Sequence, residues 1–315
     1  MPKNLRQLTE VPQRLTGGHR LCPGCGEPII VRHVLAAAGS QPIIACNATG
    51  CLEVSTTIFP YTAWNIPWIH LAFENVGATV SGVEAMYQQW KRMGKIDPDV
   101  RYRFVAFAGD GGTYDIGLQA LSGMAERWHD VVYVCLNNEA YMNTGVQRSS
   151  ATPMGMSTTT SPAGKIAPAG KPVNRKDLTM VMAAHDIPYV AQVAPGFPPM
   201  WRQLVNAAEK AFEYEGPAFL NVLSPCPLGW IHEPGLTPEI AKIAVDTCYW
   251  PMYECDHGVF KLLYKPKEKL PLEAYLEPQL RFRHLFRGEG SADIRKRMQE
   301  WVDYKWEQLL KLCGE

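Results

Sequence analysis

The sequence lacks any apolar run of the roughly 20 residues that a membrane-spanning helix needs, and its first residues, MPKNLR, contain no apolar signal core. A net charge of either sign is also missing, because its 315 residues include 31 basic and 31 acidic side chains. Without a basic excess, nothing in the composition points to nucleic acid or a membrane surface as a partner. These absences predict a cytoplasmic protein.

Several familiar metal-binding patterns are missing as well. A zinc ribbon needs two C-x-x-C pairs, and the chain has one, at Cys22 and Cys25. The eight histidines show no H-x-x-x-H spacing. The chain also lacks the C-x-x-C-x-x-C-x-x-x-C run of ferredoxins, so it does not carry the two clusters that such a run holds.

What is present is an unusual number of cysteines, nine in all. In a reducing compartment disulfides are rare, so their spacing is better interpreted as metal ligation. Four of them, Cys22, Cys25, Cys51 and Cys226, fall on predicted turns or strand ends. Such a set suits either a [4Fe-4S] cluster or a structural zinc, and spacing does not decide between them. The Cys22–Cys25 pair could alternatively be a thioredoxin-like redox pair; the other cysteines are interpreted as core or surface residues.

A second motif spans two apolar runs, residues 103–108 and 131–136, which predict buried strands around a helix. Gly109, Asp110 and Gly111 follow the first strand, and Asn137 and Asn138 follow the second. A carboxylate and an amide oxygen are ligands that suit Mg²⁺ on a diphosphate, and glycines let the backbone approach it. This spacing is typical of thiamine-diphosphate enzymes; the alternative is an ordinary strand–helix turn followed by an Asn-rich loop.

Strands and helices alternate along most of the chain, which predicts a doubly wound α/β fold with a mostly parallel sheet. We expect an N-terminal arm at residues 1–20, an α/β domain at 21–234, and a C-terminal extension at 235–315 that packs on the domain or on a partner subunit. The long loop after Asn138 is interpreted as a binding loop, with Asn143 and Arg148 nearest the metal site; a disordered insert is the alternative.

The motifs together resemble those of one family, the β subunits of pyruvate:ferredoxin oxidoreductases, which belong to the 2-oxoacid:ferredoxin oxidoreductases. The resemblance covers most of the chain. It rests on residues 18–26 (GHRLCPGCG), 47–51 (NATGC), 61–64 (YTAW), 67–70 (PWIH), 72–75 (AFEN), 109–111 (GDG), 137–145 (NNEAYMNTG), 147–150 (QRSS), 157–160 (STTT), 224–227 (SPCP) and 281–286 (RFRHLF).

The resemblance implies a thiamine-diphosphate-binding fold and a set of ligands. Asp110, Asn138 and the carbonyl of Ala140 would coordinate Mg²⁺, and Asn143 would face the substrate and the thiazolium ring as a catalytic residue. The four cysteines named above would hold one [4Fe-4S] cluster. This cluster would accept the electrons that oxidative decarboxylation releases, which favours it over zinc. The glutamate that activates the cofactor would come from another subunit, with Glu53 and Glu74 as candidates within this chain.

The implied reaction is oxidative decarboxylation of pyruvate to acetyl-CoA and CO₂, with electrons passed to ferredoxin. The missing ferredoxin run and the missing coenzyme A domain predict partner subunits of α, γ and δ type. Oxalate, 2-oxoglutarate or branched 2-oxoacids remain alternative substrates. Two further alternatives are a non-redox thiamine decarboxylase with structural zinc and a subunit without chemistry.

Overall fold

The computed structural model describes residues 5–288 and 290–315, and its strands form one sheet. The strands are β1 Ile43–Ala48, β2 Trp68–Leu71, β3 Arg103–Gly109, β4 Val132–Asn137, β5 Tyr189–Val193, β6 Ala218–Leu223, β7 Tyr253–Asp256 and β8 Val259–Leu262. The α-helices are α1 Leu5–Glu10, α2 Glu27–Ala37, α3 Cys51–Thr56, α4 Val76–Arg92, α5 Leu118–Glu126, α6 Leu178–Ala183, α7 Met200–Glu213, α8 Pro227–Trp230, α9 Thr237–Asp246, α10 Glu273–Leu276 and α11 Ser291–Leu312.

The sheet has the order β2-β1-β3-β4-β6-β5-β7-β8. Strands β1 to β6 run parallel, and β7 and β8 join antiparallel at the β5 edge. The predicted doubly wound, mostly parallel sheet is therefore confirmed. The predicted strand over residues 189–193 matches β5 at both ends, and the helix predicted over 292–312 matches α11 within one residue.

Each face of the sheet has its own apolar core. Along β3, Phe104 and Ala106 point to the face that α4, α5 and α6 cover, and Val105 and Phe107 point to the face of α2, α7 and α9. This period of two follows from the alternation of side chains along a strand. Because both faces are covered, the central strands are apolar at almost every position, as the sequence predicted.

The N-terminal segment departs from the predicted extended arm. Residues 5–10 form the short helix α1, and Leu15 pairs with Trp64 in an isolated bridge. Arg14 is buried because its guanidinium donates to the carbonyl oxygens of Leu35 and Gly39 at the end of α2, which satisfies its charge inside the fold. Residues 1–4 of the predicted arm lie outside the described residues.

The predicted C-terminal extension also contributes two strands to the sheet. Residues 253–262 form a hairpin whose first strand, β7, pairs with β5, so the sheet runs across the predicted boundary at residue 234. Both strands have only four residues and turn at Gly258, whose φ is 79°. Short edge strands of this kind carry little periodic signal.

The strand order places a crevice between β1 and β3. The chain moves from β1 outward to β2 and then returns to the other side of β1 to form β3, so the connections leave in opposite directions. Doubly wound proteins bind ligands at the carboxyl ends of strands at such a switch point. Within the described residues, no helix combines the length and the apolar content needed to cross a bilayer.

Candidate cofactor site

Four adjacent strands, β1, β3, β4 and β6, carry the predicted site residues at their carboxyl ends. Cys51 lies three residues beyond β1, Asp110 follows β3, Asn138 follows β4 and Cys226 follows β6. A cleft of about 430 Å³ opens at this edge. Its walls include the predicted cofactor-binding residues Gly109, Gly111, Asn138, Ala140 and Asn143.

Three oxygen-bearing groups converge beside this cleft. One terminal atom of the Asn138 amide lies 2.7 Å from the carbonyl oxygen of Ala140 and 2.9 Å from Oδ1 of Asp110. When Nδ2 of Asn138 donates to Glu27 Oε1 at 3.4 Å, that atom is the amide oxygen, and three oxygens face one another. In the reversed orientation, the amide nitrogen donates to both of the other oxygens, which suits the site without a metal. Oxygens placed as in the first orientation repel unless a cation lies among them, and this donor set is the kind that Mg²⁺ prefers. The residues fit a magnesium ion.

Asp110 is fully buried. Its carboxylate accepts hydrogen bonds from the Ser149 hydroxyl and from the backbone N–H of Asn138, the latter at 3.2 Å. Burial raises the pKa of Asp110 to about 7, and these hydrogen bonds offset only part of that rise. A bound cation would favour the charged form of the carboxyl. Because burial disfavours that form, the charged carboxylate depends on a cation for its stabilisation.

The backbone after Asp110 forms a wide helical turn over Gly111–Ile116, a conformation common at functional sites. A Cβ at Gly111 would lie 2.2 Å from the Tyr141 ring, whose hydroxyl donates to the Gly111 carbonyl at 3.0 Å. Only glycine fits beneath that ring. The bare backbone at the start of the turn is therefore able to approach a diphosphate closely.

The residue between Asn138 and Ala140 has an unusual backbone conformation. Glu139 adopts a φ of 68°, which costs about 1–3 kcal/mol for a residue with a side chain. This left-handed residue turns the chain so that the Asn138 amide and the Ala140 carbonyl face the same point. Asn137 supports the turn from below, since its Oδ1 accepts from the Glu139 N–H at 3.1 Å. Of the two adjacent asparagines, one faces the site and the other stabilises the turn.

The structure also brings the four predicted cluster cysteines together. Cys25 interacts electrostatically with Cys51 and Cys226, and Cys51 interacts with Cys22 and Cys226. All four are free thiols. The C-x-x-C loop is held against the loop after β6, because the N–H of Gly26 donates to Pro225 O at 3.1 Å.

Burial raises the pKa of Cys25 and Cys51 far above the usual thiol range, and the negative charge of Glu27 adds to it. Burial likewise raises the pKa of Cys226 to about 11. Thiolates at these positions need a cationic centre. Within the described residues, no three His, Cys, Asp or Glu side chains are placed to share a single metal ion. Ligation of a zinc ion or of an iron–sulfur cluster by these cysteines therefore stays a prediction.

Other predicted residues lie at the margins. Asn143 lines the cleft from an exposed position, and Arg148 is exposed beyond it. Glu53 is buried away from the cleft wall, where its carboxylate accepts from Thr57 at 2.9 Å. Glu74 is exposed outside the cleft. Neither glutamate lines the cleft, and the roles of all these residues stay predictions.

Two cleft residues escaped the sequence analysis. Glu27 is fully buried between the cysteines and Asn138, its Oε2 has no hydrogen-bond partner among the described residues, and burial raises its pKa to about 7. Asn47 at the end of β1 has an unpartnered buried amide nitrogen. Unpartnered buried polar atoms in a cleft are available to a ligand. Asn47 lies inside the motif at residues 47–51 that carries Cys51, whereas Glu27 directly follows the motif at residues 18–26.

Comparison with known proteins agrees with this geometry. The family described as thiamine pyrophosphate enzyme, C-terminal TPP binding domain, matches residues 48–222, more than half of the chain. Pyruvate synthase subunit PorB of Thermotoga maritima is 49% identical over 99% of this chain and 97% of its own length. PorB of Methanocaldococcus jannaschii is 49% identical over 93% and 95%, and ketoisovalerate oxidoreductase subunit VorB of Pyrococcus furiosus is 39% identical over 99% and 98%.

The fold recurs in a solved 2-oxoglutarate:ferredoxin oxidoreductase from Magnetococcus marinus, with a TM-score of 0.52 and 24% identity over 74% of this chain and 78% of that one. The family match and the curated relatives define a thiamine-pyrophosphate-binding subunit of the 2-oxoacid:ferredoxin oxidoreductase class. Within that class, the chain belongs to the PorB family of pyruvate synthase subunits. The resemblance found in the motifs is confirmed.

Proposed function

We propose that this chain binds thiamine diphosphate, Mg²⁺ and one [4Fe-4S] cluster, and that its complex oxidatively decarboxylates pyruvate to acetyl-CoA and CO₂. The observation that carries the proposal is the convergence of Asp110, Asn138 and the Ala140 carbonyl at one edge of the sheet, where Cys51 and Cys226 follow the flanking strands β1 and β6. The names of the relatives with the highest identity support pyruvate as the substrate.

Thiamine diphosphate, when bound, supplies the carbanion chemistry that releases CO₂ from a 2-oxoacid, and the cluster supplies a one-electron acceptor beside it. The chain's own residues hold and shield these groups. Asp110, Asn138 and the Ala140 carbonyl would hold the metal on the diphosphate. The rings of Tyr141 and Phe73 lie at the cleft wall with their centroids 6.0 Å apart, and they would exclude water from the cleft.

Asn143 is the catalytic residue in this proposal. It lies at the open side of the cleft, where its amide is able to donate a hydrogen bond to a substrate carboxylate or to a developing oxyanion. Cys22, Cys25, Cys51 and Cys226 would ligate the cluster. Cys22 is the exposed member of this set, so the electrons would leave on its side.

The complex requires partner subunits of α, γ and δ type. These would supply the glutamate that activates thiamine, the coenzyme A site, and the two-cluster relay to ferredoxin that this sequence lacks. The free cysteines suit a reducing compartment, which agrees with the predicted cytoplasmic location.

Purified complex should be assayed on pyruvate, 2-oxoglutarate, a branched 2-oxoacid and oxalate, with coenzyme A and ferredoxin present. We expect the highest kcat/KM on pyruvate; no activity on pyruvate would refute the substrate assignment. Iron, acid-labile sulfide and the visible spectrum test the cluster separately. A colourless complex that contains zinc would refute the redox role, and in that case the non-redox decarboxylase would explain the fold.

A further inference from the structure

A buried network connects the metal-ligand turn to the C-terminal part of the chain. The Glu139 side chain points away from the cleft and is fully buried. Its Oε1 accepts from Arg175 at 3.2 Å and from the Tyr249 hydroxyl, and its Oε2 accepts from Arg281 at 2.7 Å. The two arginines are 36 and 142 residues away along the sequence, so the network joins three separate segments.

Aromatic rings hold both arginines in place. The guanidinium of Arg175 lies over the rings of Tyr249 and Trp250, at 4.4 and 4.8 Å from their centroids. That of Arg281 lies 3.9 Å from the centroid of Trp230. Cations stacked in this way lose little freedom and exclude water. Neither guanidinium is able to follow Glu139 if the turn shifts, so the carboxylate is fixed at a defined position.

The network also reaches the metal ligands by a second route. The Trp230 indole N–H donates to the carbonyl oxygen of Asn138 at 2.8 Å. Arg281 therefore acts on both sides of the left-handed residue: through Glu139 itself, and through the ring that holds Asn138. The Glu139 carbonyl accepts from the Thr152 hydroxyl at 2.7 Å, which satisfies the peptide after the turn.

We propose that Glu139 is a positioning residue for the metal–diphosphate site, and that Arg281 and Arg175 act through it. The strained φ of 68° persists because the surrounding bonds determine it. With the network intact, the Asn138 side chain and the Ala140 carbonyl lie beside Asp110 before any cation arrives. The segment Leu280–Phe286 thereby contributes to cofactor affinity without touching the cleft. This inference rests on the proposed magnesium site.

The test measures Mg²⁺-dependent binding of thiamine diphosphate to the purified complex, after a chelator has removed the bound metal. Variants Glu139→Gln and Arg281→Lys remove the charge and the planar fork, respectively. Groups that orient metal ligands typically change metal affinity about 10–100-fold, so we expect the half-saturating Mg²⁺ concentration to rise by about that factor in Glu139→Gln. Arg281→Lys should give a smaller rise in the same direction.

Glu254→Gln is the matched control. Glu254 is also a buried carboxylate, and it accepts from Tyr189 and from Lys210, each at 2.7 Å, at the antiparallel edge of the same sheet. It should lower the melting temperature without changing the Mg²⁺ requirement. If Glu139→Gln and Arg281→Lys behave like this control, with half-saturation within twofold of wild type, the positioning role is refuted.

Two further measurements complete the test. If Glu139→Gln does not fold, Arg281→Lys and Arg175→Lys decide by the same criterion, since each keeps the buried positive charge. Where Glu139→Gln folds, Arg281→Lys should have a smaller effect in its background than in wild type, because the two residues share the Arg281–Glu139 contact; full additivity would contradict the proposal. Asp110→Ala tests the magnesium site itself, independently of the network. If cofactor binding by this variant still responds to Mg²⁺, the proposed magnesium site is refuted.

Discussion

Asp110→Asn should stabilise the cofactor-free protein and abolish the stabilisation that the cofactor provides. Burial raises the pKa of the Asp110 carboxyl from 3.8 to about 7. At pH 8 the carboxylate is charged in both the folded and the unfolded states. Burying this charge therefore lowers the free energy of unfolding by about 4 kcal/mol, since each unit of pKa shift corresponds to about 1.4 kcal/mol. Asparagine has the same shape and no charge, so it removes that cost.

The hydrogen bonds around Asp110 survive the change. The new amide oxygen can accept from the Asn138 N–H, and the new amide nitrogen can donate to the Ser149 hydroxyl, which is able to reorient. In contrast, the variant loses the only charged ligand among the three oxygens of the proposed metal site. Ligand at a hundredfold excess over its Kd stabilises a protein by about 2.7 kcal/mol, and this gain should disappear.

The stability advantage of Asp110→Asn should depend on pH, in a direction that follows from the pKa shift. Between pH 3.8 and about 7 the folded state holds a proton that the unfolded state releases, so wild-type stability falls as the pH rises through this window. The advantage of Asp110→Asn should therefore be largest at pH 8 and shrink to under about 2 kcal/mol at pH 5.

The measurement is thermal unfolding of the chelated complex at pH 5 and pH 8, with and without Mg²⁺ and thiamine diphosphate. Asp246→Asn is the control, because that carboxylate is already paired with Lys242 and accepts from Tyr264 at 3.0 Å. It should destabilise the protein and leave the cofactor shift intact. The reasoning fails if cofactor-free Asp110→Asn is less stable than wild type at pH 8, or if Mg²⁺ and cofactor still raise its melting temperature.

Three other substitutions test separate parts of the structure. Cys51→Ala should remove the cluster's iron and acid-labile sulfide, whereas Cys313→Ala should leave both unchanged; equal iron in the two variants would exclude Cys51 as a ligand. Gly111→Ala should abolish cofactor binding, because its Cβ would lie 2.2 Å from the Tyr141 ring, and normal binding by calorimetry would contradict this close approach. Burial lowers the pKa of Lys171 to about 8, so the folded state deprotonates before the unfolded state. Unfolding free energy should therefore rise from pH 8 to 10 relative to Lys171→Met; parallel pH profiles would contradict it.

The sequence predicted the parts of the structure that local signals determine. Residues 104–108 and 131–136 are apolar because strands β3 and β4 are covered on both faces. The alternation of side chains is therefore hidden in these runs, but their short length still indicates strands. The glycines around Asp110 marked the turn because only a residue without Cβ fits beside Tyr141.

Features that depend on tertiary packing did not appear in the pattern. Glu27 occupies the first turn of α2, where an acidic residue is ordinary at a helix N-terminus; its burial results from the loop after β6, some 200 residues later in the chain. Arg14 likewise belonged to a polar segment, and its carbonyl partners became visible only in the fold. The short strands β7 and β8 are recognisable only in the fold, because β7 pairs with β5 and β8 pairs with β7.

Glu139 and Asp110, two fully buried carboxylates on the turns that form the proposed metal site, have opposite surroundings, and this contrast explains how the chain prepares the site. Glu139 has two permanent cations, Arg175 and Arg281, both buried with it. Asp110, which is equally buried, forms no ion pair with any described residue and accepts hydrogen bonds from uncharged donors, among them the Ser149 hydroxyl and the Asn138 N–H. Because the arginines satisfy Glu139, the turn stays in place without ligand; because none reaches Asp110, that charge remains available for an exchangeable cation. Moving an arginine to Asp110 would stabilise the empty site and remove the reason for a metal to bind there.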